Sequence, residues 1–88
     1  MKIHTLKIER KYYEKVIGGV KKAELRKNDR DFNINDLIIF VDTNGELFDN
    51  YLPFMFRITD ICEYKDALKE GYVMLSIQQC INPKNGCY

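Results

Sequence analysis

One charged segment of the chain carries residue types that suit the binding of an anion or a nucleobase. Lys21, Glu24 and Arg26 lie close together in this segment. Arg26 has five N–H donors in a planar fork, which fits a phosphate or a base edge, and Lys21 supplies a positive charge. The carboxylate of Glu24 is suited to accept a hydrogen bond from an exocyclic amino group, as carboxylates do with N4 of cytosine. These three side chains are therefore candidates for contacts to a phosphate or a base edge.

Further polar and aromatic side chains extend this candidate site. The polar ones are Lys27, Asn28 and Arg30. The candidates for stacking on an unstacked base are Tyr12, Tyr13, Phe32 and Tyr72. Core packing is the favoured interpretation for Tyr13 and Phe32, so Tyr12 is the aromatic residue assigned to the site. On composition alone, the favoured interpretation of the whole segment is a set of ordinary ion pairs on a solvated strand and loop.

Residue periodicity predicts the elements that position this segment. Residues 3–8 alternate as a short strand, and residues 9–17 form a helix with one apolar face, ended by two consecutive glycines. Residues 21–27 alternate again and predict a second strand. We expect Ala23 and Leu25 to face the core, and Glu24 and Arg26 to face the polar cleft, because neighbouring residues of a strand point to opposite sides.

Three more strands are predicted downstream, at residues 37–41, 54–62 and 72–78. Asn44-Gly45 is a strong hairpin signal between the first two, and residues 65–70 form one helical turn before Gly71. About five short strands, one main helix and one short helix predict an α+β, mostly β fold, a small open β-barrel with a helix across it. We expect residues 1–80 to form this domain and residues 81–88 to form a C-terminal tail.

Composition argues against several classes of protein. The 88 residues carry a formal net charge of +1, which disfavours binding of long duplexes by bulk electrostatics. Neither a Cys-x-x-Cys spacing nor a pair of histidines is present, so we expect no metal and no cofactor.

The three cysteines show no paired spacing and are expected as free thiols, which indicates a reduced compartment. No apolar run approaches the roughly 20 residues of a membrane span and no apolar signal core begins the chain, so we expect a cytoplasmic protein without a membrane partner.

A family resemblance adds to this interpretation. Gly-x-Lys-x-x-Glu-x-Arg at residues 19–26, placed after a helix, resembles the signature of the ASCH domain family, which has the PUA-like fold. The continuation Arg-Lys-Asn-Asp-Arg-Asp-Phe at residues 26–32 is more similar still to DUF3850, a branch of small bacterial and phage proteins. Residues 1–8, 34–38 and 70–75 resemble the opening strand, the barrel-strand entry and the closing strand of that branch. The resemblance covers most of residues 1–78.

The resemblance implies a PUA-like β-barrel with a cleft lined by Lys21, Glu24 and Arg26. By similarity to PUA domains, it implies binding of RNA, of single-stranded nucleic acid or of a nucleotide. One branch of small ASCH proteins is enzymatic and removes the acyl group from N4-acetylcytidine, with a Lys and a Thr of this strand and a distant Glu. Two residues before the motif Arg, where those hydrolases have Thr, this chain has Glu24. Recognition without catalysis is therefore the favoured hypothesis.

Two alternatives remain open. One is an amidohydrolase acting on an N4-acylated cytidine-type nucleoside, in which Lys21 and Glu24 are the catalytic candidates. The other is a non-catalytic interaction module in which Glu24 and Arg26 form a structural ion pair inside the barrel.

Overall fold

The computed structural model describes residues 1–48, 54–82 and 86–87. Along the chain, the elements are β1 (Ile3–Lys7), α1 (Arg10–Ile17), β2 (Ala23–Lys27), β3 (Leu37–Val41), β4 (Met55–Cys62), β5 (Tyr72–Asn82) and β6 (Gly86–Cys87). The main helix and the five strands expected from periodicity are all present. β5 continues to Asn82, past the expected end of the domain at residue 80, and β6 pairs with it.

Helix α1 begins after Glu9 and ends at the two glycines. Tyr13 and Val16 are buried on its inner face, as the helical periodicity predicts. The backbone N–H of Gly18 donates to the carbonyl of Glu14, and Gly19 has a φ of 77°, a left-handed conformation that glycine adopts without strain. This ending turns the chain back at once, so Lys21 lies only a few residues from the helix that packs on the barrel.

The strands form one sheet in the order β1–β3–β4–β5–β2, and β6 adds to β5. β1 runs parallel to β3, and the other pairings between strands are antiparallel. A register shift between Ile58 and Asp60 interrupts the β4–β5 ladder, and such an irregularity bends a strand. β1 and β2 are the two edges of the curled sheet. The architecture is the small, open, mostly β barrel of the α+β class that the sequence predicts.

The core fills the concave side of this sheet, where α1 covers it. Its most deeply buried large side chains are Phe56, Leu6, Ile38, Ile58, Leu75 and Val73. The rings of Phe40 and Phe56 pack edge to face, with centroids 5.4 Å apart. Full burial of each large aliphatic or aromatic side chain contributes about 1.5–3 kcal/mol, which makes this cluster the main source of stability.

Two connections match their sequence signals in part. At the predicted hairpin, the N–H of Asp42 donates to the carbonyl of Glu46, and Gly45 adopts a φ of 83°. The short helix expected at residues 65–70 is limited to one hydrogen-bonded turn, in which the N–H groups of Ala67 and Leu68 donate to the carbonyl of Tyr64. A segment this short does not offset the cost of nucleating a helix.

The cysteines depart from expectation at one position. Cys62 is free and exposed, whereas Cys80 is disulfide-bonded. The prediction of three free thiols is therefore wrong at Cys80, and the argument for a reduced compartment is left with Cys62 alone. In the part of the chain that the structure describes, no helix has the length and apolar character needed to cross a bilayer.

Candidate functional site

Strand β2 places a charged face inward and an apolar side chain outward. Glu24 is 6% exposed, whereas its neighbour Leu25 is 54% exposed. Glu24 and Arg26 share the polar face as predicted, but the prediction that Leu25 faces the core is wrong. Strand periodicity determines only that neighbours point to opposite sides, and a buried carboxylate is tolerated on the inner side when cations pair with it.

Glu24 lies between two cations and bonds to both. Its Oε1 accepts a hydrogen bond from Nζ of Lys21 at 2.5 Å, and its Oε2 accepts one from Nε of Arg26 at 2.7 Å. Nζ of Lys21 also donates to the carbonyl of Ala23. The Lys21 and Arg26 side chains remain 27% and 23% exposed, so solvent or a ligand can reach them. We call Lys21, Glu24 and Arg26 the charged triad.

Two arginines connect this site to the opposite edge of the barrel. Nη2 of Arg26 donates to the carbonyl of Lys7 at 2.5 Å, and Nη1 of Arg30 donates to the carbonyl of Thr5 at 3.0 Å. The carbonyl of Lys2 accepts from Leu37 of β3, so strand periodicity turns the carbonyls of Thr5 and Lys7 toward the free edge of β1. The arginines therefore satisfy edge carbonyls that pair with no other strand among the described residues.

The charged triad borders a cleft of about 500 Å³. Lys27 lines it as well, and Tyr12 of α1 and Tyr72 of β5 are on its wall. Lys7, Glu9 and Thr43 complete its polar lining. Four cationic side chains thus line the cleft with two carboxylates, which leaves an excess of two positive charges. An anionic ligand is the chemistry that this balance favours.

The aromatic candidates divide into two pairs. Tyr13 and Phe32 are each 7% exposed and belong to the core, in agreement with the favoured interpretation. Tyr12 is 39% exposed, and Nζ of Lys11 lies 5.0 Å from its ring centroid. Tyr72 is half-buried and also borders the cleft. The site therefore has two tyrosine rings available for stacking rather than the one assigned from sequence.

Not all of the predicted site residues meet in this cleft. Lys21, Glu24, Arg26, Lys27 and Tyr12 line it. Asn28 instead lines a second cavity of about 420 Å³, beyond Tyr72. Arg30 does not line the cleft, because its Nη1 donates to the carbonyl of Thr5 at the edge of β1.

Three polar lining residues were missed by the sequence reasoning. Thr43 comes from the loop after β3, and Lys7 and Glu9 come from the junction between β1 and α1. No local motif marks Thr43, because its place depends on how the β3 loop folds over the barrel end. Lys7 is the last residue of the first strand and Glu9 follows that strand. The only sequence signal for them was therefore the rule that binding residues cluster where strands end in loops.

A second buried polar cluster stabilises the far end of β1. Nε2 of His4 donates to Oδ2 of Asp36 at 2.8 Å, and the backbone N–H groups of Lys2 and Asn33 also donate to this carboxylate. Burial alone raises the pKa of Asp36, but these hydrogen bonds and the charge of His4 outweigh it and lower the pKa from 3.8 to about 2. The His4 ring packs on Phe32. Neither His4 nor Asp36 lines the cleft, so the pair is structural.

Metal-ligating residues do not cluster in the described parts of the chain. No group of three His, Cys, Asp or Glu side chains there has the proximity needed to hold an ion. The side chains of the cleft supply ammonium, guanidinium, carboxylate, hydroxyl and phenol groups.

Comparisons with known proteins place the cleft within a matched region. The sequence model of a family described as "Domain of unknown function (DUF3850)" matches residues 3–77. The chain is also similar to an uncharacterized 12.9 kDa protein in the GpA 3' region of Escherichia phage P2, with 38% identity over 74 residues. That match covers 84% of this chain but only 66% of the phage protein, just under two thirds of its length. All residues that line the cleft fall inside residues 3–77.

Proposed function

Since the chain belongs to the DUF3850 family, whose description states no function, we propose from the cleft itself that the protein binds RNA or a nucleotide. Lys21 and Arg26 contact the phosphate, and Tyr12 or Tyr72 stacks on the base. The observation that carries this proposal is the charged triad beside two accessible tyrosines in a cleft with excess positive charge. The resemblance to ASCH domains supports the same class of ligand.

In this proposal Glu24 does not contact the base, unlike the role expected from the sequence. Both of its carboxylate oxygens already accept hydrogen bonds from cations of the fold. Lys21 keeps a third N–H after its bonds to Ala23 and Glu24, and the bonds of Arg26 leave Nη1 unused among the described residues. Glu24 is thus a positioning residue that holds two donors apart at a set spacing. The groups left for a ligand are donors, which match the oxygens of a phosphate.

A pair of adjacent lysines tests this proposal. Lys21 lines the cleft, whereas Lys22 is exposed and does not. In anisotropy titrations of a labelled RNA tetranucleotide at low salt, we expect Lys21→Ala to weaken binding about tenfold, since a charge-assisted hydrogen bond contributes about 1.5–3 kcal/mol when formed. Lys22→Ala is the matched control and should change affinity less than twofold.

Two results would contradict the proposal. Equal losses in Lys21→Ala and Lys22→Ala would mean that the cleft does not direct binding. Absence of binding at low salt, together with a lower free energy of unfolding in Lys21→Ala, would mean that the charged triad is a structural ion-pair network. The latter result supports the interaction-module alternative.

A second candidate function is hydrolysis of an acylated nucleoside, and one observation favours it. Thr43 lines the same cleft as Lys21, so a hydroxyl is present there although the strand Thr is replaced by Glu24. However, an ammonium group that donates to a carbonyl and a carboxylate is suited to binding an anion rather than to accepting a proton. An acyl-release assay with N4-acetylcytidine decides between the two: turnover lost in Thr43→Ala and Lys21→Ala supports the enzyme.

A further inference from the structure

We propose that the ligand of the cleft is a single strand of nucleic acid at least two nucleotides long, which crosses Tyr72 and places its second base in the cavity lined by Asn28. This inference rests on the proposed function and names its substrate class more closely. It assigns a second subsite, formed where β2 ends and β5 begins.

The two cavities meet at one aromatic ring. Tyr72 lines both the cleft of about 500 Å³ and the second cavity of about 420 Å³. Lys27 and Asn28 are consecutive in the chain, and Lys27 lines the first cavity while Asn28 lines the second. Lys27 is also the register partner of Tyr72 across the β2–β5 ladder. A ligand longer than one nucleotide therefore passes from one cavity to the other over the edge of this ring.

The two cavities differ in charge, and this difference indicates which cavity holds the phosphate and which holds the base. The cleft has two excess positive charges, whereas the second cavity is balanced, with Lys65 and Lys69 against Glu63 and Glu70. A balanced cavity does not favour a second phosphate over a neutral group. We therefore place the phosphate at the charged triad and a neutral base in the second cavity.

The lining of the second cavity suits a base. Leu68 and Val73 contribute apolar surface, and Asn28 contributes an exposed side-chain amide. Among the described residues, this amide makes no hydrogen bond, so its donor and its acceptor both remain for a base edge. Each cavity also falls within the range of about 300–1,000 Å³ typical of ligand sites.

The passage between the cavities suits the phosphodiester that joins two nucleosides. Nζ of Lys69 lies 5.8 Å from the centroid of the Tyr72 ring, and Lys27 is the register partner of Tyr72 on β2, so their side chains leave the same face of the sheet. A backbone phosphate that crosses Tyr72 thus lies near two ammonium groups, while the ring is placed to stack on a base. Aromatic rings beside a cationic track are the usual means of binding single strands without strict sequence preference.

A length series tests this inference. Dissociation constants are measured by NMR titration at low salt for 5'-phosphorylated uridine and adenosine mononucleotides and for the corresponding dinucleotides, in ribose and deoxyribose forms. Stacking and base contacts in the second cavity should make the dinucleotides bind about 5- to 100-fold more tightly than the mononucleotides. A ribose preference then identifies RNA, and equal affinity for both sugars identifies single strands in general.

Three variants test whether the tighter binding of dinucleotides arises in the second cavity. Asn28→Ala is an exposed substitution, and it should weaken dinucleotide binding about threefold or more while changing mononucleotide binding less than twofold. Tyr72→Ala should abolish the length effect, and Tyr72→Phe, which keeps the ring, should preserve it. Lys22→Ala should leave both ligands unaffected.

Each contrary result has its own meaning. Equal affinity of the wild-type protein for mononucleotides and dinucleotides would overturn this inference and leave the proposed function standing. Absence of binding for every ligand would overturn both. A length effect that persists unchanged in Asn28→Ala and Tyr72→Ala would overturn the assignment of the second subsite.

Discussion

The carboxylates of Glu24 and Asp36 are both buried, and each is surrounded by donors of the protein. An unpaired buried carboxylate is costly, so each side chain is retained only with its full set of partners. The two carboxylates differ in how exposed their hydrogen-bond partners are. The cations beside Glu24 remain partly exposed in a cleft, whereas His4 beside Asp36 is enclosed. Buried Glu24 therefore belongs to the candidate site, whereas buried Asp36 has a structural role.

Asp36 gives a prediction about acid stability. Its pKa is depressed in the folded protein to about 2, below its usual 3.8, so the charged form stabilises the fold at higher pH. This stabilisation is fully present above about pH 4 and is lost as the pH falls toward 2. We expect Asp36→Asn to be less stable than the wild type at pH 7, with the difference in the free energy of unfolding shrinking between pH 4 and pH 2.

Urea denaturation at a series of pH values measures this difference. Asp66→Asn, at an exposed position, is the control and should track the wild type throughout. A difference between wild type and Asp36→Asn that stays constant from pH 6 to pH 2 would contradict the assignment of the low pKa.

At the level of elements, β2 is an edge strand with an inverted pattern. Glu24 and Arg26 face inward, whereas Leu25 is exposed beside its cross-strand partner Met74, and Leu25 also borders the cleft. An edge strand has one neighbour, so fewer side chains surround it and a polar inner face is easier to accommodate there than in the central strands.

The inverted pattern predicts a small effect from removing Leu25. Leu25→Ala should change the free energy of unfolding by less than about 0.5 kcal/mol, as is usual for exposed positions. Leu75→Ala, at a fully buried position of the adjacent strand, is the matched control and should cost about 2–5 kcal/mol. Equal losses in urea denaturation would mean that Leu25 is covered in solution.

Arg30 gives a second prediction at this level. Because its guanidinium donates to the free carbonyl edge of β1, Arg30→Ala should lower the free energy of unfolding by about 0.5–1.5 kcal/mol. It should also speed hydrogen exchange of β1 amides while leaving nucleotide affinity within twofold. A tenfold loss of affinity with unchanged exchange would instead restore Arg30 to the ligand-contacting residues that the sequence suggested.

The whole molecule is small and nearly neutral. The Cα radius of gyration is 12.7 Å, and the chain has a net charge of +1. The cleft alone has an excess of two positive charges, so the rest of the chain is slightly negative. An excess of two positive charges in the cleft on a nearly neutral chain fits a short single-stranded ligand better than a long duplex.

This charge distribution predicts a shallow salt dependence. If about two to three phosphates are neutralised, the logarithm of the association constant should fall against the logarithm of salt concentration with a slope of roughly −1.4 to −2. Titrations of a short single-stranded oligonucleotide between low and moderate salt measure this slope, and Lys21→Ala should reduce it by about 0.7. A slope near zero would exclude phosphate contacts, and one several-fold steeper would require a larger surface than the cleft.

Local pattern alone was sufficient for the elements, whereas the grouping of Lys21, Glu24 and Arg26 was expected from a family resemblance. The helical face of Tyr13 and Val16, the two glycines after α1 and the alternation through β2 each have a physical cause within a few residues of the chain. These features follow from periodicity and backbone conformation, which sequence displays directly.

Only the tertiary structure decided the direction and the boundaries of the site. The sequence could not show that Leu25 faces outward or that Arg30 bonds to the edge of β1. It also could not show that Thr43 lines the cleft while Asn28 lines the second cavity. Each of these depends on which strands lie at the sheet edges and how the barrel curls, and both are set by contacts between residues distant in sequence. Alternation assigns side chains to two faces, but only the packing of the whole chain determines which face is buried.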